Sequence, residues 1–243
     1  MNAREKIRQQ VWQRLLQVAR PDSRFHWDFN QFIPDFAGSE RCADRIARTP
    51  EYEAANTLLV TPDNSLAALR TLSLQAGKDL VIPSYGLGRG FFWLPHEAVP
   101  PGQEAFAATL DGLEVYGQPY ALTATRPAQH PQLLVSGASV LNKQGVRVGL
   151  SPSYFDLEWL VLADFGLIQL ETPVMTVVHT CQVVELSCEP LSSALVTDWI
   201  ITPEALYATH SRYPRPDPAT WTHLPAPMLQ EVPFLQELAR LRS

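Results

Sequence analysis

Apolar residues along the chain fall into short runs separated by stretches with helical spacing, and this pattern predicts an α/β fold. Runs rich in Leu, Val and Ile at 58–61, 79–83 and 173–184 predict buried strands. Between the first two runs, leucines at helical spacing from Leu66 to Leu74 predict a helix. Strand, helix and strand in close succession indicate a βαβ unit, so we expect a mostly parallel sheet.

Helical spacing also predicts elements at both ends of the chain. A helix over residues 3–19 carries its apolar positions on one face, namely Ile7, Val11, Leu15 and Val18. A closing helix over 228–241 follows the proline-rich extended segment 213–218. No repeat or composition break divides the pattern, so we predict one domain over residues 1–243. The closing helix can dock on the core or form a dimer face, which leaves monomer and homodimer both open.

The stretch 133–149 combines a strand with a hairpin. The apolar run 133–135 predicts the strand. Asn142 and Gly145 lie in a short loop between β-prone residues, and both residue types tolerate positive φ, so they predict a hairpin turn.

A strand-to-helix turn is predicted directly after this hairpin. Ser151 or Ser153 can serve as the N-cap of a helix that starts at Tyr154. Backbone N–H groups and the positive end of the helix dipole at such a turn favour a bound anion. Arg147 before the turn and Asp156 after it are candidates for a phosphate clamp and a metal ligand.

Composition and charge narrow the function classes. The 243 residues include 19 Lys and Arg and 25 Asp and Glu, a formal charge of −6, which disfavours a general nucleic-acid binder. The charged start has no apolar signal core, and no apolar run approaches a membrane span. Cys42, Cys181 and Cys188 lack zinc-site spacing and are expected to be free thiols in a reducing compartment. We therefore expect a cytoplasmic protein without a membrane partner.

Several segments, taken in order, resemble the 5-formyltetrahydrofolate cyclo-ligase family, also called the methenyltetrahydrofolate synthetase family. They are REKIR at 4–8, GKDLVIP at 77–83, RVGLSPSYFD at 147–156, HTCQ at 179–182 and DWIITPE at 198–204. IPDF at 33–36 and VVHTCQVV at 177–184 resemble the divergent branch of methenyltetrahydrofolate synthase-domain proteins. The resemblance covers roughly residues 4–223.

The resemblance implies a three-layer α/β sandwich of the sugar-phosphate isomerase and CoA-transferase type. It also implies a ligase that uses ATP and Mg²⁺ to convert 5-formyltetrahydrofolate to 5,10-methenyltetrahydrofolate. In that chemistry the formyl oxygen is phosphorylated, and N10 then attacks with loss of phosphate. The protein's task is mainly to position groups and neutralise charge. The implied partners are a reduced folate and ATP.

Site residues follow from the resemblance position by position. Arg4 and Arg8 are expected at the nucleotide phosphates. Arg147 is expected at the transferred phosphoryl group, because guanidinium suits bidentate contact with its oxygens. Asp156 is expected to hold Mg²⁺, and Tyr154 to line the site as a catalytic group that also contacts ATP. The loop expected to cradle ATP comprises Gly149, Leu150, Ser151 and Ser153.

Departures from the family pattern keep a second function open. Pro152 lies in a loop that is glycine-rich in the family, and proline removes an N–H donor. No carboxylate matches the folate-contacting Glu of the family near Asn64, although Asp63 is adjacent. A non-catalytic protein that binds a nucleotide or a folate is therefore the alternative. His179, at the end of a buried strand, is either a packed residue or a polar contact to the substrate.

Overall fold

The computed structural model describes residues 3–20, 28–29, 32–122, 130–149, 152–224 and 232–242. The strands are β1 (Thr57–Val60), β2 (Asp79–Pro83), β3 (Phe91–Leu94), β4 (Gln118–Pro119), β5 (Leu133–Gly137), β6 (Leu141–Asn142), β7 (Val174–Val177), β8 (Val183–Val184), β9 (Trp199–Ile201) and β10 (Leu206–Ala208). The α-helices are α1 (Ala3–Leu15), α2 (Ser39–Ile46), α3 (Pro50–Ala54), α4 (Ala67–Gln75), α5 (Glu104–Ala107), α6 (Leu110–Tyr116), α7 (Tyr154–Asp164) and α8 (Pro233–Arg242). Short 3-10 helices lie at Asn64–Leu66, Tyr85–Leu87, His96–Ala98, Thr180–Gln182 and Pro218–His223.

An eight-stranded sheet, in the order β10-β9-β7-β5-β1-β2-β3-β4, forms the centre of the fold. The pairings from β9 through β7, β5 and β1 to β2 are parallel. The pairings β2–β3, β3–β4 and β9–β10 are antiparallel. β1, α4 and β2 form the predicted βαβ unit. The predicted α/β class with a mostly parallel sheet is therefore confirmed.

Helices cover both faces of this sheet. Successive residues of a strand point to opposite faces, so one strand contributes to an apolar cluster on each side. Leu58 and Val60 of β1 pack in an apolar cluster with residues of α2 to α6. Leu59 packs in a second cluster with residues of α7 and α8. The result is the predicted three-layer sandwich. Leu235 of α8 is completely buried, so the closing helix docks on the core.

Helix α1 is shorter than predicted and ends at Leu15. Its residue Val11 is buried and packs against Val140 and Val148, which lie on either side of the predicted hairpin turn. This contact brings the start of the chain next to the segment that leads into α7. The position of Arg8, one turn before Val11, depends on it.

The predicted strand over 173–184 is broken into three elements. β7 ends at Val177, the 3-10 turn Thr180–Gln182 follows, and only Val183–Val184 is extended again. The break has a local cause: the Gln182 side chain accepts a hydrogen bond from the His179 N–H at 2.7 Å, which closes the turn. The apolar run therefore contains two strands in different sheets.

The predicted hairpin is confirmed only at its turn. Gly145 has φ +81°, and the Asn142 side chain accepts a hydrogen bond from the Val146 N–H at 2.9 Å. A single bridge, between Leu141 and Arg147, connects the two arms. β6 pairs instead in parallel with β8 in a small second sheet. In the described part of the chain, no helix has the length and hydropathy required to cross a bilayer.

Candidate active site

A hollow of about 430 Å³ lies where the chain leaves three parallel strands. Residues 61–64 follow β1, residues 84–86 follow β2, and residues 136–140 lie at the end of β5. The first turns of α7 form another wall. Parallel α/β sheets commonly bind ligands in a crevice outside the carboxyl ends of their strands. The volume is within the range of small-molecule sites.

The walls of the hollow are mainly apolar, with a few charged groups among them. The larger apolar side chains are Phe29, Phe32, Ile33, Leu110, Phe155 and Leu157. The charged side chains are those of Arg8, Asp63, Arg147 and Glu158. Apolar walls with a small number of polar groups are typical of a site for one flat organic ligand.

Arg147 is held in place by three hydrogen bonds and one aromatic ring. Its Nη2 donates to Ser136 Oγ at 2.6 Å and to Thr176 Oγ1 at 3.1 Å. Its Nη1 donates to the Leu195 carbonyl at 3.2 Å, and the guanidinium lies 4.7 Å from the centre of the Phe155 ring. Burial lowers the pKa of Arg147, and the nearby acids partly oppose that shift. The guanidinium is therefore a fixed positive charge at the hollow.

Two acids lie near this guanidinium: Asp63 is half-buried and Glu158 is buried. Asp63 Oδ2 accepts hydrogen bonds from the Gly137 N–H at 3.0 Å and from the Thr61 hydroxyl. Glu158 is 4 % exposed, and its Oε2 has no hydrogen-bond partner among the described residues. Burial raises the pKa of both carboxyls, that of Glu158 to well above its usual value. Both shifts are toward the protonated form of the carboxyl.

The turn before α7 also lines the hollow. Ser153 is the N-cap of the helix, and its Oγ accepts a hydrogen bond from the Asp156 N–H at 3.2 Å. Tyr154 is 53 % exposed at the mouth of the hollow, beside Gly86. Among the residues that the structure describes, none lies within 4 Å of a Cβ added at Gly149. Pro152 lines the hollow without filling it.

Asp156 lies behind this wall, outside the set of lining residues. Its Oδ2 accepts from the Ser153 N–H at 2.7 Å and from the Ser153 Oγ at 2.9 Å. Its Oδ1 accepts from the Leu195 N–H at 2.9 Å, and the residue is 2 % exposed. Both carboxylate oxygens are thus used to fix the start of α7.

The two arginines of α1 that were predicted to contact the nucleotide, Arg4 and Arg8, lie in different environments. Arg8 lines the hollow and is 6 % exposed, with its guanidinium 4.7 Å from the centre of the Trp12 ring and 3.1 Å from Glu5. Arg4 donates to the carbonyl of Glu189 at 3.1 Å and does not line the hollow. Only the second of the two predicted nucleotide contacts therefore reaches the site.

His179 lies apart from the hollow. Its Nδ1 accepts a hydrogen bond from the Cys181 N–H at 3.2 Å, and its ring meets Phe36 edge-on at 5.6 Å. Burial lowers the pKa of His179, which favours the neutral ring. This is the packed alternative of the two that the sequence left open.

The structure thus brings five of the predicted site residues to one hollow and leaves three outside it. The five are Arg8, Arg147, Gly149, Ser153 and Tyr154, and the three are Arg4, Asp156 and His179. Leu150 and Ser151, also predicted to contact ATP, lie outside the described residues.

A family model for 5-formyltetrahydrofolate cyclo-ligases matches residues 1–196. The chain belongs to this cyclo-ligase family. The human methenyltetrahydrofolate synthase domain-containing protein is 30% identical over 246 residues, an alignment that covers 97% of this chain and 61% of the relative. The Bos taurus protein of the same description is also 30% identical, with 97% and 62% covered. The chain therefore spans about three-fifths of the length of these curated relatives.

A solved structure supports the same fold. The NMR structure of Aquifex aeolicus 5,10-methenyltetrahydrofolate synthetase superimposes with a TM-score of 0.52 and 13% sequence identity. The match covers 87% of the present chain and 95% of the Aquifex aeolicus chain. The resemblance seen in the sequence, to the family and to its synthase-domain branch, is confirmed.

The predicted Mg²⁺ ion does not fit Asp156, the residue predicted to hold it in this cyclo-ligase family member. A Mg²⁺ ion held by one carboxylate, phosphates and water needs a carboxylate oxygen that faces the bound phosphates. Asp156 is 2 % exposed and lies outside the residues that line the hollow, and both its oxygens accept hydrogen bonds at the start of α7. Over the described residues, no three His, Cys, Asp or Glu side chains form a group that could hold a metal ion.

Glu158 is absent from the sequence-based set of site residues, although a signal for it exists. Residues three and four positions after Tyr154 lie on the same face of α7, so Leu157 and Glu158 share the wall with Tyr154. Asp63 has a different signal: it comes directly after a buried strand, at the sheet edge where ligands bind.

Proposed function

We propose that the hollow is the active site of a ligase that converts 5-formyltetrahydrofolate to 5,10-methenyltetrahydrofolate with ATP. One observation supports this most directly. Arg8 and Arg147 are far apart in the chain, yet both line the same hollow as Gly149 and Ser153. Two guanidinium groups next to a helix start favour a polyanion. Family membership supports the general reaction class.

Within this proposal, ATP supplies the phosphoryl group that turns the formyl oxygen into a leaving group. Arg147, fixed by Ser136 and Thr176, neutralises charge where phosphoryl oxygens lie. Arg8 adds a second guanidinium group to the lining of the hollow, and the N–H groups at the start of α7 orient the anion. The apolar walls bind the pteridine ring and keep water away from the reacting carbon.

The test follows methenyl product by its absorbance after the full chain is mixed with 5-formyltetrahydrofolate, ATP and MgCl₂. ATP-dependent product formation is expected. Replacing Arg8 with Met is expected to lower kcat/KM about tenfold or more, because one charge-assisted contact is lost. Arg4→Met is the matched control and should stay close to the wild type, because that guanidinium lies outside the hollow. Absence of product from folded protein would reject the ligase.

A second candidate is a protein that binds nucleotide or reduced folate without turnover. Two observations favour it: Pro152 contributes no N–H donor to the loop before α7, and Asp156, the predicted metal ligand, lies outside the residues that line the hollow. Calorimetry with 5-formyltetrahydrofolate and with a non-hydrolysable ATP analogue distinguishes the two functions. Binding of either compound without methenyl formation selects the second candidate.

A further inference from the structure

Glu158 lines the hollow, and one of its carboxyl oxygens, Oε2, is buried without a hydrogen-bond partner in the described part of the chain. The residue as a whole is 4 % exposed. Buried polar groups are nearly always paired, and an unpaired one costs about 1–3 kcal/mol. A buried acid kept at this cost in a cavity wall suggests a partner supplied by a ligand.

Three charged side chains affect the ionisation of this carboxyl group. Asp63 follows β1, Arg147 follows β6, and Asp156 lies at the start of the same helix as Glu158. The two aspartates oppose ionisation of Glu158 and Arg147 favours it, while burial has the largest influence. Because two aspartates lie near Glu158, an anionic ligand group suits this point poorly. A ligand group that donates a hydrogen bond to the carboxyl oxygens suits it better.

The surroundings indicate the shape of that donor. Leu157 precedes Glu158 in the chain, and Phe29, Phe32 and Ile33 also line the hollow. Apolar walls suit the faces of a flat ring, while a carboxyl group in the same cavity suits an edge that carries N–H groups. A nitrogen heterocycle has both features.

We propose that Glu158 is a ligand-contacting residue whose carboxyl group hydrogen-bonds the N–H edge of a nitrogen heterocycle held between the apolar walls of the hollow. This inference rests on the proposed function, because a reduced pteridine is a heterocycle of that class. It assigns to the cyclo-ligase scaffold an acid that the sequence resemblance did not supply.

The experiment is calorimetric titration of the full chain with 5-formyltetrahydrofolate in the absence of nucleotide. Glu158→Gln keeps the shape of the side chain and removes one acceptor, so affinity should fall about tenfold or more. Affinity for a non-hydrolysable ATP analogue with MgCl₂ should stay close to the wild type. Glu171→Gln, at an exposed position, is the matched control and should change neither affinity.

A second measurement separates ligand contact from a structural role. Urea unfolding of Glu158→Gln should give an unfolding free energy no lower than that of the wild type, whereas a purely structural role would lower both stability and folate affinity. If Glu158→Gln does not fold, Glu158→Met, which removes both acceptor oxygens at similar length, provides the same comparison.

The outcomes are distinct for the inference and for the ligase. Folate binding that depends on Glu158, without methenyl formation, supports the inference and rejects the ligase. If the wild type forms methenyl product and Glu158→Gln leaves the folate affinity unchanged, the ligase is supported and the inference is rejected. Loss of nucleotide affinity alone places Glu158 at the phosphate side and overturns the inference. Failure of the wild type to bind 5-formyltetrahydrofolate overturns both.

Discussion

The chain leaves β5 and β7 at the same edge of the sheet, yet the polar groups near the two strand ends have different partners. After β7, the side chains of His179 and Gln182 form hydrogen bonds with the main chain of their own turn. Gln182 also donates to the carbonyls of Ala138 at 2.8 Å and Ser139 at 3.0 Å. At the end of β5, by contrast, Ser136 accepts a hydrogen bond from Arg147, a charged residue that faces the hollow.

This difference shows which polar residues at a strand end belong to structure and which to a site. Around His179, the side chains of His179 and Gln182 are paired with the main chain of their own turn and with the carbonyls of Ala138 and Ser139. Around Arg147, the acids Asp63 and Glu158 share one positive charge, and Glu158 keeps an oxygen without a partner in the described structure. Incomplete pairing at a buried position is the feature that separates the two ends.

Removing Arg147 should have the largest effect. Arg147→Met leaves three nearby acids without their cation, and breaking a buried charge cluster costs about 3 kcal/mol of unfolding free energy. If the proposed ligase is correct, turnover should fall about a hundredfold or more, because the phosphoryl contact is lost as well. Urea unfolding and the methenyl absorbance assay measure the two effects.

Arg45→Met is the control for this prediction. Arg45 donates to the carbonyls of Pro203 and Glu204 at 3.1 and 2.8 Å and lies outside the hollow. Its loss should lower stability modestly and leave turnover unchanged. Equal losses of turnover in both variants would show that Arg147 acts only through the stability of the fold.

Asp156 should affect stability more than metal binding. Asp156→Asn weakens the bonds from Ser153 and Leu195 and should lower the unfolding free energy by about 1–2 kcal/mol. Ser153→Ala should cost about 1 kcal/mol, and the double variant less than the sum, because the two residues form one capping box. A metal ligand would instead leave stability intact and raise the Mg²⁺ concentration required for turnover, which is the measurement that decides between the roles.

The ionisation of Glu158 should make stability depend on pH. The pKa of Glu158 in the folded chain lies well above 4.5, its ordinary value, so at intermediate pH the folded state retains a proton that the unfolded state has released. The unfolding free energy should therefore fall as pH rises above about 4.5, with a slope of at most about 1.4 kcal/mol per pH unit from this group.

Glu158→Gln should reduce that slope, measured by urea unfolding at a series of pH values. Asp63, whose pKa is also raised, continues to contribute in this variant, and Asp63→Asn isolates its share. An identical slope in the wild type and in Glu158→Gln would contradict the assignment of a retained proton to Glu158.

The parts of the fold that depend on neighbouring residues could be predicted from the sequence. The N-cap at Ser153 is set within one turn of α7, and the βαβ unit follows from apolar spacing alone. The different positions of Arg4 and Arg8 relative to the hollow could not be predicted in this way. Arg4 and Arg8 share a helix face, but the contact of Val11 with Val148 determines which of them reaches the hollow.

The site was predicted least well where a polar side chain has a partner distant in sequence. Gln182 reaches Ala138, 44 positions away, and this contact helps to close the turn that contains His179. Asp156 accepts from Leu195, 39 positions away. Neither partner can be identified from motif spacing, so motif residues that serve the fold look the same in sequence as those that serve the site.

His179 should show the smallest effect of all, and it tests the end of β7 directly. His179→Asn keeps a group that can accept the Cys181 N–H but loses the ring contact with Phe36, so stability should fall by about 1 kcal/mol. Affinity for 5-formyltetrahydrofolate, measured by calorimetry, should remain within about twofold of the wild type, because the residue does not line the hollow. A tenfold loss of that affinity at unchanged stability would restore the predicted substrate contact and remove the distinction between the two strand ends.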